Sequence, residues 1–216
     1  MNDLVYLALP VAFITAALLW FRHLRGLVGE RFQKAAARRR GRVVAAPWIL
    51  YPRLVVELDR AEIQISSLHG SGNGRATRTF AWVGCREYPD LELRVRRWPG
   101  RVGTLERLGW KRCATGDRPF DEVFWVQGAS SHAVGDLLEA DLRRALLAFE
   151  APLAVTLSVG TGNAYRNGWQ VIGEHEPHLD VSIRALPPEV DDVERLIDAA
   201  TLMHARLRRP PLRMSA

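Results

Sequence analysis

Residues 4–21 read LVYLALPVAFITAALLWF, and residues 22–42 read RHLRGLVGERFQKAAARRRGR. The first stretch contains no charged residue, and about 20 apolar helical residues are enough to cross the hydrocarbon core of a bilayer. The sequence therefore predicts a transmembrane anchor over residues 1–21. The alternative is a buried helix of a soluble core, which the length of the run and its basic flank disfavour. Pro10 is compatible with the anchor, because membrane helices tolerate proline.

The same stretch does not fit a cleaved signal peptide. A secretory signal begins with basic residues and ends on small residues at its cleavage site. This chain begins Met-Asn-Asp, and its apolar run ends Leu-Leu-Trp-Phe. Trp20 and Phe21 lie where aromatic residues gather at a membrane–water interface. The sequence therefore predicts an anchor that is retained in the mature protein.

The charge on the two sides of the anchor predicts its orientation. Residues 22–42 hold eight basic residues and one acidic residue, whereas only Asp3 and the terminal amine lie ahead of the apolar run that begins at Leu4. Basic flanks stay on the cytoplasmic side of a membrane. We therefore expect a single-pass protein of the inner (cytoplasmic) membrane, with its N-terminus outside and its globular domain in the cytoplasm. The residues expected at the membrane surface are Arg22, Arg25, Arg31, Lys34, Arg38, Arg39, Arg40 and Arg42.

The positive charge of the chain lies at its ends. The chain has 30 basic and 24 acidic residues, a formal net charge of +6. Segment 22–42 has a net charge of +7, and residues 206–216 hold four arginines and no acidic residue. Residues 43–205 hold 18 basic and 22 acidic residues, so this part is mildly acidic. A nucleic-acid-binding domain would carry basic residues on its own folded surface. The distribution of charge therefore favours a lipid bilayer as a partner, argues against nucleic acid, and leaves any protein partner unidentified.

Segment 22–42 is predicted to be a basic juxtamembrane helix. Its apolar residues recur at three- and four-residue steps, which is the helical period. Two interpretations are open. The helix lies along the lipid surface, or it is a solvated spacer that only obeys the positive-inside bias. The apolar positions are Leu24, Leu27, Val28, Phe32, Ala35 and Ala36.

After residue 43 the sequence takes on the period of half-buried β-strands. Strands with one apolar and one wet face are typical of antiparallel sheets. Strands and helices do not alternate over the first half, so a parallel doubly wound sheet is not expected. The predicted features of this half are strands over residues 53–59, 61–65, 76–83 and 91–97, a hairpin turn at the Gly-rich residues 69–74, and a short helical turn near residues 105–108.

The second half of the body mixes strands with helices. Residues 120–127 are expected to form a strand, and residues 131–149 a pair of short helices. The last helix has acidic residues at its start and arginines at its end, which matches the helix macrodipole. The other predicted elements are strands over 153–159, 169–172 and 179–183, a turn rich in Gly and Asn over 160–168, and a helix opened by Pro187-Pro188-Glu189.

Together these patterns predict an α+β fold, in which an N-terminal transmembrane helix is followed by a mainly antiparallel β-sheet domain with packed helices. The globular domain is expected to span residues 43–209, as one unit or as two packed lobes. Residues 210–216 are expected to form a flexible tail. No cofactor-binding motif is recognisable in the sequence, so no cofactor is expected.

Residues 115–149 read TGDRPFDEVFWVQGASSHAVGDLLEADLRRALLAF. This stretch resembles a domain of unknown function in uncharacterised bacterial membrane-associated proteins, whose pattern is TG…FDxxFxVxG…LL…LRxxLL. The resemblance implies a fold and a membrane setting, and it supplies no catalytic residue. The matching positions are Thr115, Gly116, Phe120, Asp121, Phe124, Val126, Gly128, Leu137, Leu138, Leu142, Arg143, Leu146 and Leu147.

Asp121 is the acidic residue of this pattern. The structural interpretation is that its carboxylate caps a turn or pairs with Arg118 or Arg143. The alternative is a catalytic carboxylate. Because the pattern consists mostly of packing residues, we favour the structural interpretation.

A second group of polar residues contains His175, His178 and Asp180, the candidates for a metal site. Pro177 prevents a helix that would bring the two histidines to one face, and their spacing matches no zinc pattern. The simpler expectation is an exposed polar turn between two strands. No metal ligand is therefore assigned.

These observations lead to two hypotheses about function. The first is a membrane-tethered cytoplasmic binding or scaffold domain without catalytic activity. The second is a membrane-bound enzyme, a hydrolase or a metal-dependent enzyme, that uses Asp121 or the group His175, His178 and Asp180. We favour the first, because no reactive constellation supports the second.

Overall fold

The computed structural model describes residues 3–48, 50–59, 61–68, 77–85, 93–97, 112–128, 131–149, 155–166 and 169–208. The predicted hairpin turn at residues 69–74, the helical turn near 105–108 and the tail at 210–216 lie outside these residues.

An antiparallel sheet of eight strands forms the body of the described protein. Every strand pairs antiparallel with its neighbour, in the order β1-β2-β3-β4-β8-β7-β5-β6. The strands are β1 (Arg42–Val44), β2 (Arg53–Leu58), β3 (Ala61–Leu68), β4 (Arg78–Gly84), β5 (Leu93–Arg97), β6 (Phe124–Gly128), β7 (Val155–Arg166) and β8 (Trp169–Ile183).

Helices cover one face of this sheet. They are α1 (Asp3–Arg39), α2 (Arg118–Val123), α3 (Ser131–Leu137), α4 (Ala140–Leu147) and α5 (Val190–Leu207). Alternate residues of the central strands, such as Ile65, Ala81 and Val181, are fully buried in one core with residues of these helices. Helix α5 contacts α1 as well as β3, β4 and β8. The predicted α+β class, with a largely antiparallel sheet, is confirmed.

Helix α1 is continuous through the predicted boundary between anchor and juxtamembrane helix. Residues 9–20 project from the body and are exposed. From Leu24 onward its apolar face is buried in the core, and Val28, Phe32 and Ala35 are fully buried. The apolar face of segment 22–42 is therefore packed against protein. It is neither spread on lipid nor left as a solvated spacer.

The strand predicted over residues 120–127 is wrong in its first half. Residues 118–123 form the short helix α2, and the strand begins at Phe124. Asp117 caps this helix by accepting a hydrogen bond from the Phe120 backbone nitrogen, and Pro119 lies in the first turn, where proline is tolerated. The rings of Phe120 and Phe124 stack with centroids 4.6 Å apart. Four-residue spacing, not strand alternation, brings these rings together.

The turn predicted over residues 160–168 is also wrong, because it lies largely within the β7–β8 ladder. Gly160 pairs with His178, and the ladder continues as far as Arg166 and Trp169, with an irregularity between Asn163 and Tyr165. The expected turn at residues 175–178 is part of β8, which is one strand rather than two. Pairing with a neighbouring strand has overridden the local preference of Gly, Asn and Pro for turns.

The buried half of α1 generates a stability prediction. Replacing Phe32 with Ala should lower the free energy of unfolding of the body by about 3–5 kcal/mol, because it empties a fully buried ring position. The matched control is Gln33→Ala at the next residue, which is exposed. This substitution should change the free energy of unfolding by less than about 0.5 kcal/mol. The measurement is urea unfolding of the full chain in nanodiscs, followed by circular dichroism of the sheet. Equal effects of the two substitutions would contradict the packing of α1 into the core.

Candidate functional site

The projecting part of α1 is the largest exposed apolar feature of the described protein. Its large apolar side chains are between 50% and 76% exposed. Soluble monomers rarely expose a contiguous apolar surface of this kind, and such surfaces mark membrane or protein contacts. By length and composition α1 can cross a membrane. The exposed side chains are Leu9, Val11, Phe13, Ile14, Leu18, Leu19 and Trp20.

The projection ends abruptly at Phe21. The ring of Phe21 lies 5.3 Å from the ring of Tyr51, between centroids. One turn later Leu24 is buried, and Arg25 donates a hydrogen bond of 2.6 Å to the Ala46 carbonyl oxygen. The change from exposed to buried side chains therefore takes place within one helical turn, at the point where the charged segment begins.

Most basic residues predicted at the membrane surface pair with carboxylates of the same chain. Arg38 donates to Glu194 at 3.0 Å, and Arg39 pairs with Asp198 at 2.8 Å. Arg31 pairs with Glu189 in the same row. Lys34 pairs with Glu30 at 2.7 Å, and Arg42 with Glu62 at 3.0 Å. Arg22 and Arg40 are exposed.

The ion pairs of Arg31, Arg38 and Arg39 join α1 to the start of α5. Hydrogen bonding to Glu194 is the main cause that raises the pKa of Arg38, and the Lys34 ammonium lowers the pKa of Glu30 in the same way. Both groups lie at the solvent surface, where such pairs stabilise a protein only modestly. The role of the basic residues at a membrane surface stays a prediction. The structure adds that this role would have to compete with the acidic residues of α5.

Asp121 forms a local clamp rather than an open carboxylate. Its oxygens accept hydrogen bonds from the Thr115 and Gly116 backbone nitrogens at 3.1 Å and from the Thr115 hydroxyl at 2.9 Å. Arg112 donates to the Asp121 carbonyl oxygen. Gly116 has a φ of +81°, in the left-handed region that favours glycine. The carboxylate thus holds the turn that precedes α2.

The expected arginine partners of Asp121 belong to other acids. Arg118 pairs with Glu122 at 2.9 Å, and Arg143 pairs with Asp117 at 2.8 Å. Arg143 therefore joins α4 to the cap of α2. Sequence reasoning placed Asp121 in a structural role but missed Asp117. The signal for it was a side chain of capping type two residues before a proline.

The Asp121 clamp gives a second prediction. Asp121→Ala should destabilise the domain by about 1–3 kcal/mol, because it leaves the part-buried backbone nitrogens of Thr115 and Gly116 without their acceptor. Glu122→Gln removes the neighbouring carboxylate, whose ion pair is exposed, and should cost less than about 0.5 kcal/mol. Chemical unfolding of the two variants in nanodiscs measures the difference. A fully stable Asp121→Ala protein would show that the clamp is not structural.

The face of β8 that points away from the helices carries a second polar group. His178, Asp180 and Ser182 alternate with the core residues of this strand and are themselves buried. Trp82 of β4 lies opposite Asp180, and its ring centroid lies 6.0 Å from that of His178. Burial raises the pKa of Asp180, against the opposing effects of Arg78, the Ser182 hydroxyl and His178. This is a packed sheet face with a buried carboxyl.

The structure brings His178 and Asp180 to one face of one strand, while the side chain of His175 lies outside the described side chains. Among the described residues no cluster of three or more His, Cys, Asp or Glu side chains could hold a metal ion. A metal role for these three residues therefore has no geometric support in the described part, and we assign none.

Asp180 gives a third prediction, on pH dependence. Because the pKa of Asp180 is raised in the folded state, the folded protein is destabilised relative to the unfolded chain as the pH rises above 3.8, the ordinary pKa of an aspartate. Asp180→Asn does not titrate, so its stability relative to the parent should increase from pH 4 to pH 7. Unfolding by urea at several pH values measures this, with Asp59→Asn, at a carboxyl that is 92% exposed, as the control. A difference from the parent that stays constant with pH would contradict the prediction.

Comparison of the chain with protein-family models, with curated proteins and with solved structures gives no match. The resemblance of residues 115–149 to the bacterial domain pattern stays a prediction. Of its positions, Phe120, Phe124, Val126, Leu138, Leu142 and Leu146 lie in the core, and Thr115, Gly116, Asp121 and Arg143 take part in the turn and cap described above.

Proposed function

We propose that this protein is a single-pass protein of the inner membrane, whose cytoplasmic body acts as a binding or scaffold domain rather than as an enzyme. The observation that carries the proposal is the continuity of α1. One helix exposes apolar side chains over residues 9–20 and buries its apolar face in the core from Leu24 onward. A body built onto the end of such a helix is held directly at the bilayer surface.

The dimensions of the helix support the anchor. Residues 4–21 rise by about 27 Å at 1.5 Å per residue. The hydrocarbon core of a typical bilayer is about 30 Å thick. With a span of this length, Trp20 and Phe21 reach the interface where aromatic side chains are enriched. The exposed segment thus ends where a bilayer would end.

The proposed orientation rests on the order of the sequence. When the anchor inserts, the basic residues of 22–42 have just been synthesised, whereas α5 begins at Val190. The carboxylates that later neutralise Arg31, Arg38 and Arg39 are therefore absent when the positive-inside bias acts. In this proposal the same arginines first direct insertion and then join α1 to α5.

The absence of catalysis is supported by what the candidate acids contact. Asp121 already receives hydrogen bonds from Thr115 and Gly116. Asp180 is 5% exposed and lies between neighbouring strands. Neither carboxylate, in the described part of the chain, opens toward a substrate. A group that binds and turns over a substrate needs such access.

Membrane fractionation tests the proposal. The full chain should remain in the membrane pellet after carbonate washing and should dissolve only in detergent. Ile14→Arg places a charge in the middle of the span at a cost of about 2.5–3.5 kcal/mol and should weaken insertion, whereas Ile14→Leu should not. A parent protein recovered in the soluble fraction without detergent would contradict the anchor.

Protease accessibility tests the orientation. In intact spheroplasts the body should resist added protease, and it should be digested once the membrane is opened. Digestion of the body from outside intact spheroplasts would reverse the proposed orientation while leaving the anchor in place.

A further inference from the structure

Trp48 is the large apolar side chain that the described part of the body exposes outside α1. It is 69% exposed. It lies in the connection between β1 and β2, which we call the Trp48 loop (residues 45–48 and 50–52). The Leu50 backbone nitrogen donates to the Pro47 carbonyl oxygen at 2.9 Å, so the loop is turned at the tryptophan. A single exposed tryptophan needs no explanation by itself. Its position does.

One stripe of α1 holds this loop at the end of the body where the helix projects. Phe21 contacts Tyr51, and Arg25 donates to Ala46. A Cβ added to Gly29 would lie 3.5 Å from the Pro52 Cγ atom. These three residues are spaced by four, so they share one helix face. The contacts of the Trp48 loop with α1 therefore lie between the level of Phe21 and the level of Gly29.

The level of the loop can be compared with the thickness of a bilayer. Phe21 and Arg25 are about 6 Å apart along the helix axis. Each headgroup layer of a bilayer is about 5–7 Å thick outside the hydrocarbon core. If the hydrocarbon ends at Trp20 and Phe21, then Ala46 and Tyr51, which contact α1 on either side of Trp48, lie at the depth of the headgroups.

The side chains at this level fit an anionic lipid interface. The indole of tryptophan prefers the boundary between hydrocarbon and water. Arg22 is exposed, and it lies three residues before Arg25, on the side of α1 that faces the loop and one turn closer to the lipid. An arginine at this depth can donate to lipid phosphates.

We propose that the Trp48 loop is a second membrane contact, in which Trp48 enters the headgroup layer beside Arg22. This inference rests on the proposed membrane anchor. Two contacts at different points of the body, the span and the loop, fix the tilt and rotation of the domain on the bilayer, which a single helix would leave free. The body then presents a constant face to the cytoplasm.

The test places an environment-sensitive fluorophore at the loop. Trp48→Cys is labelled with a nitrobenzoxadiazole dye in the full chain carrying Cys113→Ala; Cys85 is buried. The protein is reconstituted in vesicles of phosphatidylcholine and phosphatidylglycerol, with or without brominated acyl chains. The control is Ala205→Cys, an exposed position on α5. Because α5 runs away from the membrane alongside α1, this position lies far from the lipid.

The expected result is blue-shifted emission at position 48 and its quenching by brominated lipid, with emission at position 205 unchanged. Emission at 48 that matches emission at 205, in protein that floats with the vesicles, overturns the loop contact and leaves the anchor standing. Protein that does not float with the vesicles overturns the anchor itself. Blue-shifted emission that brominated lipid does not quench, and that increases with the protein-to-lipid ratio, would mean that the loop contacts a second copy of the chain. This result would also overturn the inference.

A second measurement without a label checks that the dye and the cysteine substitution have not altered the loop. The tryptophan emission of the parent is compared with that of Trp48→Phe in the same vesicles, and the difference isolates Trp48. Loss of this difference emission in brominated vesicles supports the contact. A difference emission that is the same in both kinds of vesicle overturns it.

Discussion

Helix α1 is uninterrupted: its first part exposes apolar side chains, and its second part packs into the protein core. The rest of the structure depends on this continuity. Over residues 9–20 all sides of α1 are exposed, whereas from Leu24 onward one face is buried against the sheet and α5. In the proposed membrane setting the exposed half would have to satisfy its own backbone hydrogen bonds, and a helix does this in hydrocarbon as well as in a protein core. The ion pairs from Arg38 and Arg39 to α5 join the same helix to the last element of the fold.

Much of the fold could be predicted from the sequence, because the relevant signals are local. The apolar run predicts the projecting helix, the strand-like pattern after residue 43 predicts β2 to β5, and the charge asymmetry of the last helix predicts α5. The destination of segment 22–42 could not be predicted. Its apolar stripe is the same whether it faces lipid, water or a sheet, and only the long-range contacts of Val28 and Phe32 with the core decide between them. A helix period shows that a face exists without showing what covers it.

The candidate site residues also combine features that are local in sequence with contacts that are not. Asp121 holds a turn formed by its neighbours Thr115 and Gly116, which is a local feature. The partner of Arg143 could not be predicted, because its pair with Asp117 joins two different helices. The burial of Asp180 was also hidden. His175 to His178 reads as a polar turn, and only the ladder with β7 and the pairing with β4 place it inside a sheet. Local turn preferences are weak beside the pairing of two long strands.

Hydrogen exchange along α1 measures whether its second half unfolds with the sheet. The full chain in nanodiscs is exposed to increasing urea, and amide protection is followed by mass spectrometry. We expect the amides of residues 24–36 to lose protection together with those of β3, β4 and β8, while the amides of residues 9–20 stay protected by the lipid of the nanodisc. Protection of the whole helix that outlasts the sheet, or rapid exchange of residues 24–36 in the native protein, would contradict it.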